Sequence, residues 1–309
     1  MPAAPPLVLL NISLPGLRET LRLPVEQMID GDIALDDDQR ARVRVLVTGG
    51  VDPLPRALVE NLPALRLIVA VAAGHDGIDV DHARARGIAV TSSIGVNAPD
   101  VADLAVGSMI ALVRGIITGD RLVRDGGWYP RRIVPSRSIS ALKVGIVGMG
   151  SIGQEISRRV AAFGCAVAWH GPRPKNVPWE RAESLHALAE ASDCLFLAAH
   201  LSADTRGMIN STILSALGPD AYLVNVGRGG LVDEDALLDA LRAGRIGGAA
   251  LDVFQEEPTP PERWRDVPNT ILTPHLGGIT RDAMQRVLER ARQSVERGLA
   301  GEMPETVIA

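Results

Sequence analysis

A chain of 309 residues is longer than one average core usually fills, so two domains are expected. It is 46% apolar and 22% charged with a net charge of -5, which fits a globular protein and argues against a nucleic-acid partner. Aromatic residues make up only 3%, so the core must be built from Ala, Val, Leu and Ile.

The N-terminal run MPAAPPLVLLNISLPG lacks the basic start and small-residue cleavage site of a signal peptide, and its apolar part is too short to span a bilayer. No later segment reaches about 18 consecutive apolar residues, so no membrane contact and a cytoplasmic location are expected. In the first ninety residues Val43–Thr48, Leu67–Val71 and Ile88–Thr91 read as strands, being short, β-branched and closed by Gly, Ser or Asp. Between them PRALVENLP and VDHARARG have helical spacing and stop at Pro or Gly. Repeated strand–helix–strand units imply a parallel sheet covered by helices.

One long apolar helix is predicted from Ala98 to Leu122, with Pro99 in its first turn. Being apolar on most of its surface, it needs cover from a partner subunit or from deep burial within its own. Residues 125–140, DGGWYPRRIVPSRSIS, read as an extended arm whose Arg131, Arg132 and Arg137 suit a solvated loop better than a phosphate site. The strand–helix pattern restarts at Val144 and runs to about residue 276. The last thirty residues form a helix too short to fold alone, expected to pack back on the first domain. Cys165 and Cys194 lie in strand-like runs, and two cysteines are too few for a disulfide framework, so a reducing compartment is expected.

Residues 144–153, VGIVGMGSIG, place Gly148, Gly150 and Gly153 in G-x-G-x-x-G spacing between a β-run and an amphipathic stretch. The first glycine makes the tight turn, the second lets backbone approach a pyrophosphate, and the third lets helix and strand pack closely. The N–H groups at the head of the helix, at Ser151 and Ile152, then hold the anion. In such folds an acid at the end of the second strand binds the ribose 2′-hydroxyl of NAD. Here that strand is Ala166–His170, no acid occurs between Glu155 and Glu180, and Arg173 and Lys175 follow instead. Missing acid and added cations favour NADP(H), with NAD(H) still possible.

Three further segments join strand-like runs to polar residues: NVGRGGLVDEDAL (225–237), ALDVFQEEP (250–258) and LTPHLGGIT (272–280). With the glycine turn, AAGHDGID (72–79), DTRGMIN (204–210) and GVNAPDVADLAVG, they resemble in order and spacing the D-isomer-specific 2-hydroxyacid dehydrogenases, across nearly the whole chain.

The resemblance implies a catalytic trio of Arg228, Glu257 and His275. Reduction of a 2-oxo acid needs a hydride at the carbonyl carbon and a proton for the resulting alkoxide. A histidine suits the proton donor, a carboxylate orients it, and a guanidinium grips the substrate carboxylate. Glu257 is chosen over Glu256 because the family pattern is D-V-F-x-x-E-P. The resemblance also implies cofactor contacts at Val226, Gly227, Arg228, Asp252, His275 and Gly277, with Asp252 meeting the nicotinamide amide. Main-chain N–H groups of Ala73, Gly74 and His75 are implied to hold the substrate together with Arg228 and His275. His200 matches no catalytic position of the family and reads as a strand-end residue. Departures from the pattern are a missing proline in AAHLSADT, a missing glycine in SALKVG, and Asp103 where Glu is usual.

The expected fold class is α/β, with two Rossmann-like domains built on parallel sheets and an active site in the interdomain cleft. Residues 1–95 plus 278–309 would form the substrate-binding domain and 96–277 the dinucleotide-binding domain. The family implies a homodimer through the 98–122 helix and the 125–140 arm, small 2-oxo acids such as glyoxylate and hydroxypyruvate as substrates, and R products. Arylpyruvate reduction is the alternative within the family, and a dinucleotide-sensing corepressor-like scaffold the alternative outside it. No cluster has zinc-like ligand spacing, so no metal is expected.

Overall fold

The short apolar runs become strands, and every strand-to-strand pairing within the two sheets is parallel. The computed structural model describes residues 4–31, 34–128 and 136–308. The chain divides into two compact units, residues 1–97 with 280–309, and residues 98–279. Among the described residues no single helix is long and apolar enough to cross a membrane.

The smaller unit holds strands β1 (Leu7–Asn11), β2 (Met28–Asp30), β3 (Val43–Thr48), β4 (Leu67–Ala70) and β5 (Ala89–Ser92), in the order β2-β1-β3-β4-β5. The sequence reading assigns no strand to LVLLN, yet β1 lies inside the sheet. Burial on both faces removes the alternation that marks a half-exposed strand. Helices α1 (Leu17–Leu21), α2 (Asp37–Arg42), α3 (Arg56–Glu60) and α4 (Val80–Ala85) come from the N-terminal part of the chain. The C-terminal helix α12 (Arg281–Ala300) packs on β3 and β4.

The larger unit carries β6 (Lys143–Val147), β7 (Ala166–His170), β8 (Glu180–Arg181), β9 (Cys194–Leu197), β10 (Tyr222–Asn225), β11 (Gly248–Leu251) and β12 (Thr270–Leu272), ordered β12-β11-β10-β9-β6-β7-β8. Its helices are α5 (Ala98–Val113), α6 (Ile116–Arg124), α7 (Ser151–Ala162), α8 (Leu185–Glu190), α9 (Ser211–Leu217), α10 (Glu234–Arg242) and α11 (Pro261–Trp264). Two apolar clusters bury this sheet, one against α5 and α7 and one against α8, α9 and α10. Each Val, Leu or Ile fully buried there contributes about 1.5–3 kcal/mol. The strand order reverses between β6 and β9, and at such a switch point the two loops diverge and leave a crevice at the carboxyl ends of the strands.

The expected single helix over 98–122 is corrected to two, α5 and α6, bent by 61°. Gly115 adopts the left-handed conformation (φ 60°) between them, which a residue with a side chain resists. Helix α5 buries seven residues in its own unit, whereas α6 buries none. Arg131 and Arg132 lie outside the described residues. Arg137 is not a free loop cation, because its guanidinium pairs with Asp193 through both carboxylate oxygens. Burial alone would raise the Asp193 pKa, but Arg137 and the Lys143 N–H outweigh it and hold the carboxyl below its usual range. Burial pushes the Cys165 and Cys194 thiols up, so both stay protonated at neutral pH.

Helix α12 (Arg281–Ala300) starts where Thr280 accepts the Ala283 N–H at 3.0 Å and stops at Gly301, in a left-handed cap. Ala283, Val287, Leu288, Ala291 and Val295 recur at helical spacing and form the buried stripe that joins the core of the smaller unit. The tail beyond it forms an antiparallel bridge from Val307 to Thr91 on the edge strand β5, and the Ile308 N–H donates to Val90 O at 2.8 Å.

Candidate active site

At the glycine turn two of the three positions leave no room for a side chain. Gly148 has φ 94°, and a Cβ there would stand 2.7 Å from Ala198 O on the loop after β9. A Cβ on Gly153 would overlap Gly148 O, so only glycine lets α7 lie this close to β6. Gly150 differs from both: a Cβ would meet nothing within 4 Å. No side chain caps the N–H groups at the head of α7, at Ser151 and Ile152. An open backbone approach before an uncapped 12-residue helix fits a pyrophosphate.

The second strand of this half, β7, ends at His170 with Gly171 behind it and no acid. Arg173 and Lys175 are exposed on the following loop, and neither forms an ion pair among the described residues. Sequence reasoning missed Arg181. From the two-residue strand β8 it donates to Gly171 O at 2.7 Å and lies 5.7 Å over the Trp169 ring, bracing this loop.

Arg228, Glu257 and His275 follow the carboxyl ends of β10, β11 and β12, three strands that neighbour one another in the sheet. Residues 29 and 18 positions apart in the sequence thereby follow neighbouring strands. His275 Nδ1 and Glu257 Oε2 are 2.7 Å apart, with side chains 43% and 38% exposed, so a substrate can reach the pair. Glu257 Oε1 accepts the Phe254 N–H at 2.9 Å, which fixes the carboxylate from behind. His275 adopts φ 54°, unusual for a residue with a side chain, and its N–H donates to Asp252 O at 2.9 Å. Such strain costs about 1–3 kcal/mol and persists only where the surroundings impose it.

Asp252, 5% exposed, is what imposes it here. Its carboxylate accepts the Thr273 hydroxyl at 2.6 Å, the Leu276 N–H at 2.7 Å and the Gly277 N–H at 2.8 Å. Two of the residues with expected cofactor contacts, Asp252 and Gly277, are thus also parts of the turn that carries His275. Arg228 is half-buried, and its Nη1 donates to Gly227 O at 2.8 Å. Asn225, which sequence reasoning also missed, shapes this loop: its amide donates to Arg228 O at 3.1 Å and accepts the Gly227 N–H at 3.1 Å. An Asn at a strand end is the available signal, since its side chain readily bonds nearby backbone. Val226 and Gly227 are buried beneath that loop.

In the smaller unit the 72–78 loop packs against the loop after β3, where a Cβ on Gly50 would stand 2.5 Å from Gly74 O. The Ala73 and Gly74 N–H groups have no acceptor among the described residues, and His75 O accepts the Ile78 N–H at 3.0 Å. His200 is exposed at the end of β9, and its carbonyl accepts the Thr205 hydroxyl at 2.8 Å. Asp103 reaches Arg159 at 2.6 Å and so ties α5 to α7.

An uncapped helix head behind an open glycine can hold a dinucleotide, and a histidine–carboxylate pair on the same sheet can move a proton. Together they define a dinucleotide-dependent oxidoreductase. A family model described as D-isomer specific 2-hydroxyacid dehydrogenase, NAD binding domain, matches residues 106–277. The chain is 42% identical over 240 residues to a 2-ketogluconate reductase of Gluconobacter oxydans, covering 77% of each chain. It is 36% identical over 250 residues to a glyoxylate/hydroxypyruvate reductase of Arabidopsis thaliana, covering 80% of this chain and 77% of that one. A solved NADPH-dependent glyoxylate/hydroxypyruvate reductase of Sinorhizobium meliloti, in complex with NADP and malonate, superposes with a TM-score of 0.87 at 32% identity, covering 99% and 97% of the two chains. The chain belongs to the D-isomer specific 2-hydroxyacid dehydrogenase family, whose cofactor is a nicotinamide dinucleotide.

Proposed function

We propose that this chain is an NADPH-preferring reductase of small 2-oxo acids, foremost glyoxylate and hydroxypyruvate, that yields (R)-2-hydroxy acids. The observation that carries the cofactor preference is the pair Arg173 and Lys175, exposed and without ion-pair partners among the described residues, after a strand that ends without an acid. Two cations attract a 2′-phosphate, whereas binding of a bare ribose hydroxyl favours a carboxylate at that place. The bound nicotinamide supplies the hydride. Because Nδ1 of His275 is turned to Glu257, Nε2 is left to donate the proton to the alkoxide. Glu257 orients the ring and offsets the charge of the imidazolium. Arg228 is the group for the substrate carboxylate and the developing charge on the carbonyl oxygen. The open Ala73 and Gly74 N–H groups, with His75, are proposed main-chain donors to substrate.

The test is nicotinamide absorbance with NADPH and NADH separately, against glyoxylate, hydroxypyruvate and 2-ketogluconate. Wild-type kcat/KM is expected to favour NADPH, and the double variant Arg173→Ala/Lys175→Ala is expected to lose ~10- to 100-fold with NADPH while changing little with NADH. A wild-type preference for NADH overturns the cofactor reading. Tight dinucleotide binding without turnover of any substrate would favour a sensing scaffold over an enzyme.

The same reading includes a homodimer through α5, α6 and the arm that follows. Helix α6 buries nothing in its own chain yet exposes Ile116, Ile117, Leu122 and Val123, an apolar set that a second copy would cover. Light scattering is expected to give twice the 32.8 kDa chain mass. A monomer at assay concentration would remove the dimer from the proposal.

A further inference from the structure

We propose that Glu234 is a positioning residue for the proton-donating pair, acting through the Phe254–Gln255 backbone. This rests on the reading of His275 and Glu257 given above. Glu234 is the first residue of α10, where an acidic side chain ordinarily faces water near the helix N-terminus. The side chain here is only 4% exposed, and a buried charge is costly unless its bonds compensate it. Capping does not explain the burial, because Asp233 already caps α10 by accepting the Ala236 N–H at 3.1 Å.

Glu234 is turned onto another loop. One carboxylate oxygen accepts the Gln255 N–H at 2.6 Å, and the other accepts Arg263 Nε at 3.0 Å. The preceding N–H, that of Phe254, is the one that holds Glu257. Two consecutive amides therefore carry two carboxylates, one buried and one in the site. The Gln255 side chain returns the link by donating to Val232 O at 2.7 Å. The loop after β10, which bears Arg228, and the loop after β11, which bears Glu257, are thus tied from both sides. If the Gln255 N–H loses its acceptor, the turn can rotate, and the Phe254 N–H moves with it. Glu257 then loses the tether that aims it at His275.

The experiment compares Glu234→Ala, Glu234→Gln and Glu257→Gln in the full chain with NADPH and glyoxylate. For Glu234→Ala, kcat is expected to fall ~10- to 100-fold, as for a small misplacement of a reacting group, with KM for glyoxylate within about twofold and NADPH binding by fluorescence unchanged. Glu234→Gln keeps an oxygen for the Gln255 N–H and is expected to regain most of kcat, although it too loses the charge that pairs with Arg263. A merely structural carboxylate gives the opposite pattern: both variants lower Tm alike and kcat per folded molecule stays at wild type, which overturns the inference. Full turnover in Glu257→Gln would instead fail the underlying reading of the site. Should Glu234→Ala not fold, Gln255→Ala cuts the returning link at an exposed residue. A drop of about threefold or more in kcat is then expected, and wild-type kcat overturns the inference.

Discussion

His275→Asn is expected to lower kcat for the 2-oxo acid by ~10²- to 10⁴-fold, the usual contribution of a positioned general acid, while leaving NADPH binding nearly intact. Asn is the informative replacement because position 275 has φ 54°, a conformation that Asn tolerates better than most residues. The turn held by Asp252 should therefore survive, and the loss can be assigned to the ring. The Thr273, Leu276 and Gly277 bonds to Asp252 do not involve the imidazole, which is a second reason to expect an intact fold. Steady-state kinetics with a fluorescence titration of NADPH separates the two effects. Turnover within about threefold of wild type would mean that the proton comes from elsewhere.

Gly229→Ala is expected to be the most damaging one-carbon change in the site. An added Cβ would overlap the carbonyl carbon and oxygen of Phe254, and both are backbone atoms in a segment already fixed by Glu257 and Glu234. Neither loop can yield without breaking those bonds. Overpacking of this kind costs ~3 kcal/mol or more, which corresponds to a fall in Tm of roughly 6–12 °C for a unit of this size. Gly230→Ala is the internal control: its nearest neighbour is Leu201 Cδ2 at 3.0 Å, the end of a flexible side chain. Thermal unfolding of the two variants should differ sharply. A Gly229→Ala protein with Tm within about 2 °C of wild type would show that the 228–230 and 254–257 loops are not locked as described.

What could be read in the sequence is what depends on neighbours in the chain. The glycine turn, the strand Val43–Thr48, the stripe of the C-terminal helix and the missing acid after β7 are local patterns with local causes. The trio was legible only as a set of motifs, because its proximity depends on β10, β11 and β12 lying side by side, which no spacing records. Strand β1 was invisible because a run buried on both faces carries no period of two. The break at Gly115 was missed because a single glycine in an apolar run looks like a tolerated helix residue until its φ is known. Nothing in the sequence sets Glu234 apart from an ordinary first-turn acid, since the amide it serves lies 21 residues away. Arg181 carries no local signal either, since the Gly171 carbonyl it braces lies 10 residues away.

The smaller unit is assembled from both ends of the chain, and this bears on how the protein is made. Residues 98–279 are contiguous, so their unit needs no segment from elsewhere in the chain to complete its sheet. The sheet of β1 to β5 is synthesised first, yet the face formed by Val8, Leu10, Val45, Val47 and Val69 is covered by Val287, Leu288, Ala291 and Val295 of α12, which come last. Until α12 emerges, that aliphatic face has the Leu17 and Leu21 side chains of α1 on it but not the α12 stripe, and the edge of β5 has no tail beside it. The unit begun first is therefore completed last, and its exposed sheet is the surface that a nascent-chain chaperone would meet.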